Sequence, residues 1–534
     1  MKQTRREFMK KSGLAAAALA IPLSMTTCSV SKRPNIIFIM SDDHAKAAMS
    51  CYGSRLIKTP HLDRLAAEGV QFTKSFVTNS ICAPSRAVLL TGKYSHKNGL
   101  RDNRDRFDGS QMTFTKLLRD AGYHTAMIGK WHLKSDPTGF DDWRVLIGQG
   151  EYYNPVFEEN GQRNQYTGYV TDLITDFAIE SLEKREDDKP FCMLIHHKAP
   201  HRNWMPHSKY FDAFKDTEIP LPDNYFDDYE GRSEAAVTAD MRVEDMYLSF
   251  DTKLRKGDYE KETGTGGSRS YATKVADSWE KSLDRLTDEQ RKAWDAHYNA
   301  VSEEFRKAKL EGRDLSKWKY QRYMKDYLRC ILSVDESIGR ILDYLDDNGL
   351  TDNTIVVYTS DQGFFLGEHG WYDKRFMYEE SLSMPLIMRY PREIPAGTML
   401  DNMVMNLDFA PTFLDYVGIS IPEEMQGQSL RRMAGGRQTK EWRDSIYYHY
   451  YEYPHGWHDV KRHYGIRTSR YKLIHFYHDI DAWELYDLKE DPHEMRNLYG
   501  DPDYSGITDE LKVQLAQLQK KYGDTSMHSE DVSG

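Results

Sequence analysis

The chain has 534 residues, 39% hydrophobic and 12% aromatic, which is a globular composition too long for one ordinary core; one large domain with a smaller companion is expected. Its net charge of −11, with both signs mixed and no long basic run, argues against a polyanion-wrapping surface, so no nucleic-acid partner is expected. The five cysteines, Cys28, Cys51, Cys82, Cys192 and Cys330, show neither metal-type CxxC spacing nor a disulfide framework.

Residues 1–28 read as an export signal. Lys2, Arg5, Arg6, Lys10 and Lys11 are followed by an Ala-rich apolar run, Leu14 to Leu23, too short for an ordinary membrane span. The text from Thr4 to Lys10 looks like a twin-arginine signal, and Cys28 stands where a lipoprotein cysteine would, behind an unusually large Thr27. No other stretch spans a bilayer, and an exported, periplasmic or cell-envelope location is expected.

A largely apolar run, Pro34 to Met40, marks a strand buried on both faces and ends in Ser41-Asp42-Asp43-His44. A helix follows at Thr59 to Ala67, with Pro60 in its first turn, and then a short strand, Val70 to Phe72. The segment Cys82-Ala83-Pro84-Ser85-Arg86 leads into Ala87 to Leu90, which can run as a helix. That puts Cys82 at a helix start, where a thiolate would be favoured. Thr115 to Gly122 is a helix stopped by glycine, and Tyr123 to Ile128 a strand ending in Gly129-Lys130-Trp131-His132. Thr171 to Arg185 has helical spacing. Phe191 to Ile195 is another buried strand, running out to His201.

From about Pro220 to Arg329 the text turns polar, a region of inserted helices, with helical patterns at Asp288 to Lys309 and Lys319 to Asn348. The strand Asn353 to Thr359 ends in Ser360-Asp361-Gln362-Gly363, and the text continues to Asp373-Lys374-Arg375. Pro385 to Arg389 is a further strand and Asp408 to Val417 a helix. After Gly435-Gly436 the period becomes two: Ser445 to Tyr453, Tyr464 to Arg467, Tyr471 to Phe476 and Glu484 to Asp487 read as an antiparallel sheet, closed by a helix from Asp509 to Tyr522. The expected fold is α/β: a large mixed, mainly parallel sheet sandwiched by helices over 29–435, with 220–330 as a helical insertion. A smaller C-terminal antiparallel-sheet α+β subdomain follows at 436–534.

In such a sheet ligands bind at the C-terminal strand ends. Asp42, Asp43, Lys130, His132, His201, Asp361 and Gln362 each follow closely on a buried strand, so parallel strands would gather them on one edge. Three carboxylates with the Gln362 amide oxygen form an all-oxygen set suited to Ca²⁺ or Mg²⁺ rather than Zn²⁺.

The pattern C-x-P-S-R at Cys82 to Arg86, followed by Thr91-Gly92, resembles the signature of the type I sulfatases of the alkaline phosphatase superfamily, whose cysteine is oxidised to formylglycine. The resemblance implies one Ca²⁺ held by Asp42, Asp43, Cys82, Asp361 and Gln362, where the family more often has Asn or His at the last position. It implies catalytic roles for Cys82, Arg86, Lys130, His132, His201 and Lys374. It also implies a mechanism. A hydroxyl of the hydrated aldehyde attacks sulfur, His201 or Lys374 protonates the departing alcohol, and His132 takes the proton of the second hydroxyl as sulfate leaves. The implied partners are a sulfatase-maturing enzyme and a sulfated oligosaccharide.

The text Lys198 to Trp204 and Ser360 to Gly370 looks like exported sulfatases of glycan-degrading bacteria, with N-acetylglucosamine-6-sulfatases the nearest group. Exo-acting removal of a 6-O-sulfate is expected. Iduronate 2-sulfatases and other glycan sulfatases, a phosphate or phosphonate monoester hydrolase of the superfamily, and a non-catalytic glycan-binding relative are the alternatives. His455, Trp457, His458 and Arg462 offer a polar and aromatic wall for an end sugar.

Overall fold

The centre of the molecule is a strand with no exposed residue, β1 (Asn35–Ser41), whose seven positions are all buried. The computed structural model describes residues 33–526 except 187, 256, 260, 261, 263–268 and 440. Residues 1–28, read above as an export signal and including Cys28, lie outside the described residues. Along β1, Ile36, Phe38 and Met40 join one hydrophobic cluster and Ile37 and Ile39 another. Alternating side chains thus serve two cores on opposite faces of one sheet, as a period of two requires.

β1 lies between two parallel neighbours, β3 (Phe191–His196) and β4 (Thr354–Ser360), and β3 pairs in parallel with β2 (His124–Lys130). The register brings their C-terminal ends level: Ser41 faces Ser360, Met40 faces His196, and His196 faces Gly129. Gly129 permits this closeness. Its φ is +103°, and a Cβ there would lie 2.0 Å from the His196 carbonyl oxygen. The full sheet has ten strands, beginning in spatial order at Thr398, Val70, Leu386, Thr354, Asn35, Phe191, His124, Asp142, Val156 and Gln162. Leu386–Arg389, Val156–Glu159 and Gln162–Gln165 pair antiparallel, so the sheet is mixed.

The strands from Asp142 to Gln165 are absent from the sequence reading. Asp142–Leu146 and Val156–Glu159 are short and bury only Val145, Leu146 and Phe157, and all four of Gln162–Gln165 are polar and exposed. So few buried positions in strands this short leave no apolar run or sustained alternation to read, and the outermost strand covers no core at all.

Helix α1 (Cys82–Thr91) packs in the first cluster, and α2 (Gly312–Asp347), 36 residues long, in the second. α2 reaches the strand ends through Tyr327, whose hydroxyl donates to the Asp43 carbonyl (2.8 Å) and accepts from the Ala45 N–H (2.9 Å). The C-terminal strands Ser445–Tyr450, His463–Thr468, Tyr471–Phe476 and Ala482–Asp487 form a four-stranded antiparallel sheet under the helix Ser505–Tyr522. Ile446, Ile466 and Leu485 share the α1 cluster. Tyr448 ties this sheet to the catalytic edge: its hydroxyl accepts from the Ser80 N–H (3.1 Å) and donates to the Arg375 carbonyl (2.5 Å). Among the described residues, no helix is long and apolar enough to cross a membrane.

Candidate active site

The expected gathering at the strand ends is present. Ile81 is extended (φ −151°, ψ 143°) and the helix turns in at Cys82, placing Cys82 and Arg86 one turn apart on one face. Cys82 Sγ is 3.3 Å from Asp42 Oδ1. Arg86 donates to Asp361 Oδ2 (2.9 Å) and to the Lys130 carbonyl (2.7 Å). The Lys130 ammonium bonds Asp42 Oδ2. Lys374 Nζ lies 2.6 and 2.8 Å from the two Asp43 oxygens. His201 Nε2 is 3.9 Å from Asp43 Oδ2. Asp43 itself has φ +71°, a costly conformation for a non-glycine residue, held here by its N–H bond to Asp361 Oδ1 (3.2 Å) and by Tyr327.

Asp42, Asp43 and Asp361 each offer an oxygen, and these lie within 4.8 Å of one another. Burial alone would raise the Asp42 carboxyl, yet the Lys130, Arg86 and Lys374 charges hold it well below the usual range. Asp43 is pushed up to about 6 by burial, against Lys374 and with help from Asp42. Asp361 is pushed up to about 7 by burial and by Asp42, against Arg86. The Gln362 amide nitrogen donates to Asp43 Oδ1, while its Oε1 is buried with no hydrogen-bond partner. An orphaned amide oxygen beside three crowded carboxylates fits a hard dication. These four residues would hold it.

One expectation is reversed. A helix start was to favour the Cys82 thiolate, but burial and the adjacent Asp42 push the thiol well above its ordinary value, outweighing Lys130 and Lys374. The unmodified cysteine is therefore a poor nucleophile.

The two histidines are neutral. Burial, then Lys130, holds both His132 and His201 well below 6.5. His201 Nδ1–H donates to the Arg202 carbonyl (2.5 Å), since a carbonyl can only accept, and this leaves the Nε2 lone pair free. His132 Nδ1 is buried without a partner. Lys374 is held charged: burial opposes it, but Asp373 and Asp43 prevail and raise its pKa.

Above this floor opens a cavity of about 520 Å³, with Cys82, Lys198, His201 and Lys374 at its base. Trp457 is on its wall, 48% exposed. His458 is behind the wall: its Nε2 lies 3.0 Å from Asp373 Oδ2 and its Nδ1 donates to the Asp240 carbonyl (2.9 Å). His455 and Arg462 are not among the cavity's described lining residues, and Arg462 Nε donates to the Tyr453 carbonyl. The lining also includes residues the sequence reading passed over: Asn103, Arg202, Phe250, Asp373, Arg375 and Glu452. Arg202 forms a fork with Asp251, at 2.7 Å to each oxygen, under the rings of Tyr372 and Trp457. The only signal for Asp373 and Arg375 was their place on either side of Lys374.

Comparison with known proteins points the same way. The sulfatase family model matches residues 34–419, and a model described as the C-terminal part of N-sulphoglucosamine sulphohydrolase matches 367–521. The chain is 52% identical to an N-acetylglucosamine-6-O-sulfatase of Bacteroides thetaiotaomicron over 94% of its own length and 90% of the relative's. It is 24% identical to an ulvan-active sulfatase of Formosa agariphila, covering 97% of this chain and 89% of the relative. A solved structure in complex with its substrate D-glucosamine-2-N,6-O-disulfate superposes with a TM-score of 0.88 at 51% identity, covering 94% of this chain and 100% of that one. With the C-x-P-S-R helix start, the carboxylate cluster and the family model spanning the large sheet, the chain belongs to the sulfatase family and is an enzyme that hydrolyses sulfate esters.

Proposed function

We propose that the enzyme removes the 6-O-sulfate of N-acetylglucosamine, or of its N-sulfated counterpart, at the end of a glycosaminoglycan or mucin chain. The observation that carries this reading is the 52% identity, sustained over nearly the whole chain, to an N-acetylglucosamine-6-O-sulfatase. The cavity's volume falls within the roughly 300–1,000 Å³ of small-ligand pockets and suits an end sugar.

The chain's own residues divide the work. Oxidised to formylglycine, residue 82 supplies a hydrated aldehyde, one hydroxyl to attack sulfur and one to expel sulfate as the aldehyde re-forms. A bound divalent cation supplies Lewis-acid polarisation of the sulfuryl oxygens and the nucleophile; with only oxygen donors at Asp42, Asp43, Asp361 and Gln362, we assign it as a single Ca²⁺. Arg86 fixes the helix start that carries residue 82. Lys130 and Lys374 place fixed positive charge where the sulfuryl oxygens gain negative charge. Lys374 holds a proton at neutral pH and donates it to the departing alcohol oxygen. The neutral His201, with its proton on Nδ1, has none to give at Nε2; its lone pair there accepts a hydrogen bond from a protonated donor such as the Lys374 ammonium while that group protonates the leaving oxygen. His132 takes the proton of the second hydroxyl.

The maturing enzyme must meet this segment before the fold closes, because every residue from Cys82 to Thr91 is buried. Read as an export signal, residues 1–28 would send the mature enzyme to the periplasm or the cell envelope. Kinetics on isomeric sugars test the assignment. N-acetylglucosamine 6-sulfate should be desulfated far faster than the 3- and 4-sulfates. Preference for a 2-sulfated uronic acid overturns the sugar while leaving the sulfatase chemistry in place.

A further inference from the structure

The cavity is lined by five cationic side chains, and four of them are already neutralised. Arg104 pairs with Asp102 at 3.0 Å, Arg202 with Asp251 at 2.7 Å, Lys374 with Asp43 at 2.6 Å and Arg375 with Asp373 at 2.5 Å. Lys198 is the exception. It is 3% exposed, yet among the described residues no carboxylate lies within ion-pair distance of it. Its Nζ donates to the Gln149 carbonyl (3.1 Å) and rests 4.9 Å from the centre of the Tyr152 ring. Tyr152 in turn donates to the His201 carbonyl (2.6 Å), so Lys198 stands on the His201 side of the cavity.

An ammonium has three donors and a full charge. Burying it with one carbonyl and one aromatic face is expensive unless an anion completes the set. The wall around it is polar and open to the cavity, so the missing partner comes from the ligand. Burial, with Lys130 adding, pushes its pKa down to about 8, so most of it remains charged at neutral pH.

We propose that Lys198 is a substrate-contact residue that binds a sulfate oxyanion of the sugar. The inference rests on the 6-sulfated glucosamine reading. Two sources offer the same chemistry: the 6-O-sulfate under attack, and a second sulfate carried on the amino group at C2. The Lys130, Lys374 and Arg86 charges are paired with carboxylates on the floor, whereas Lys198 feels Asp42, Glu151 and Asp43 only from beyond ion-pair distance and keeps its donors for the ligand.

Titration calorimetry on the metal-loaded Cys82→Ala chain reads binding without turnover. Inorganic sulfate, N-acetylglucosamine 6-sulfate and D-glucosamine-2-N,6-O-disulfate serve as probes. Adding Lys198→Met should weaken the disulfate by about tenfold or more, the worth of one charge-assisted contact. Lys198→Arg should restore most of that affinity. Thermal unfolding should show Lys198→Met as stable as its parent or more so, because an unpaired buried charge has been removed. Parallel weakening of all three probes identifies the contacted group as the 6-O-sulfate. Weakening of the disulfate alone identifies the C2 sulfate. Affinities for all three probes within twofold of the parent overturn the proposal, as does a fall in unfolding temperature that Lys198→Arg does not repair. If the parent binds neither sugar, the sugar reading has failed. The sulfate arm then decides Lys198 by itself: weaker sulfate binding in Lys198→Met supports the contact and unchanged binding overturns it.

Discussion

At the floor of the crevice three ion pairs join distant parts of the chain: Arg86 to Asp361, Lys130 to Asp42, Lys374 to Asp43. All six are at most 3% exposed. At the rim the lining comes from loops around 103, 150, 202, 250, 373 and 457, and Trp457 is about half exposed. The floor can be rigid because Asp42, Asp43, Lys130 and Asp361 stand at the ends of parallel strands in fixed register and hold Arg86 and Lys374 by ion pairs, where a small error in position costs much rate. The rim meets the part of the substrate that varies. It is built from segments that can change without moving the sheet. This difference predicts that floor substitutions destroy turnover and rim substitutions tune KM.

The largest effect should come from Cys82→Ala. Turnover should fall by more than about 10⁴-fold, as for loss of a nucleophile, while calorimetry still detects the sugar because the cations and carboxylates remain. Peptide mass should show the aldehyde in active protein. Full activity with an unaltered thiol would refute the role. The high pKa that burial and Asp42 impose on the thiol makes the same point, since an unmodified Cys82 has little thiolate to offer.

Next comes the metal set. Chelation should abolish activity, and Ca²⁺ should restore it better than Zn²⁺. Asp361→Ala should lose metal and turnover together. It should also lower stability by about 3–5 kcal/mol, the usual result of stripping one partner from a buried ion pair, because Arg86 loses its 2.9 Å partner. Metal analysis that finds two zinc ions per chain would instead favour a phosphatase-like site.

How much of this was legible in the sequence follows the same division. Apolar runs such as Ile36 to Met40 and Ile355 to Tyr358 announce buried strands, and the rule that ligands sit at parallel strand ends then selects Asp42, Asp43, Asp361 and Gln362. The rim obeys no such rule. Arg202 meets Asp251 across a polar insertion, and no periodicity encodes that meeting. Asp373 and Arg375 flank a lysine chosen for its family resemblance and were not themselves read as lining. The thiolate expectation failed because a helix start reports only a local field, and burial, with Asp42 from forty residues away in sequence, overrides it.

His458 offers a smaller, pH-dependent effect at the rim. Burial opposes its charge, but Asp373 and Asp240 prevail and raise its pKa above 6.5. A histidine whose folded pKa is raised contributes fully below the unfolded value and loses that contribution as pH rises through the folded one. The His458–Asp373 contact should therefore loosen on the alkaline side. KM should rise with pH above about 6.5 in the parent and stay flatter in His458→Gln, with kcat following the floor in both. Identical KM profiles would show that Asp373 is held without this histidine.

The smallest effects separate the wall from what only neighbours it. Trp457 lines the cavity and lies over Arg202, with 5.5 Å between ring centre and guanidinium carbon. Trp457→Ala should raise KM by about threefold to tenfold, the worth of one partly exposed aromatic contact, and leave kcat alone. His455 is two residues away and Arg462 five, yet neither reaches the lining; Arg462 instead braces the loop through the Tyr453 carbonyl. His455→Ala should leave kcat and KM within about twofold, because the half-buried ring is not among the cavity's described lining residues. Arg462→Ala removes a brace without touching the ligand, so its effect should appear in the unfolding temperature before it appears in KM. A KM increase in His455→Ala as large as that of Trp457→Ala would mean the loop turns its histidine inward when sugar binds, and the boundary between rim and surround would have to move outward by that residue.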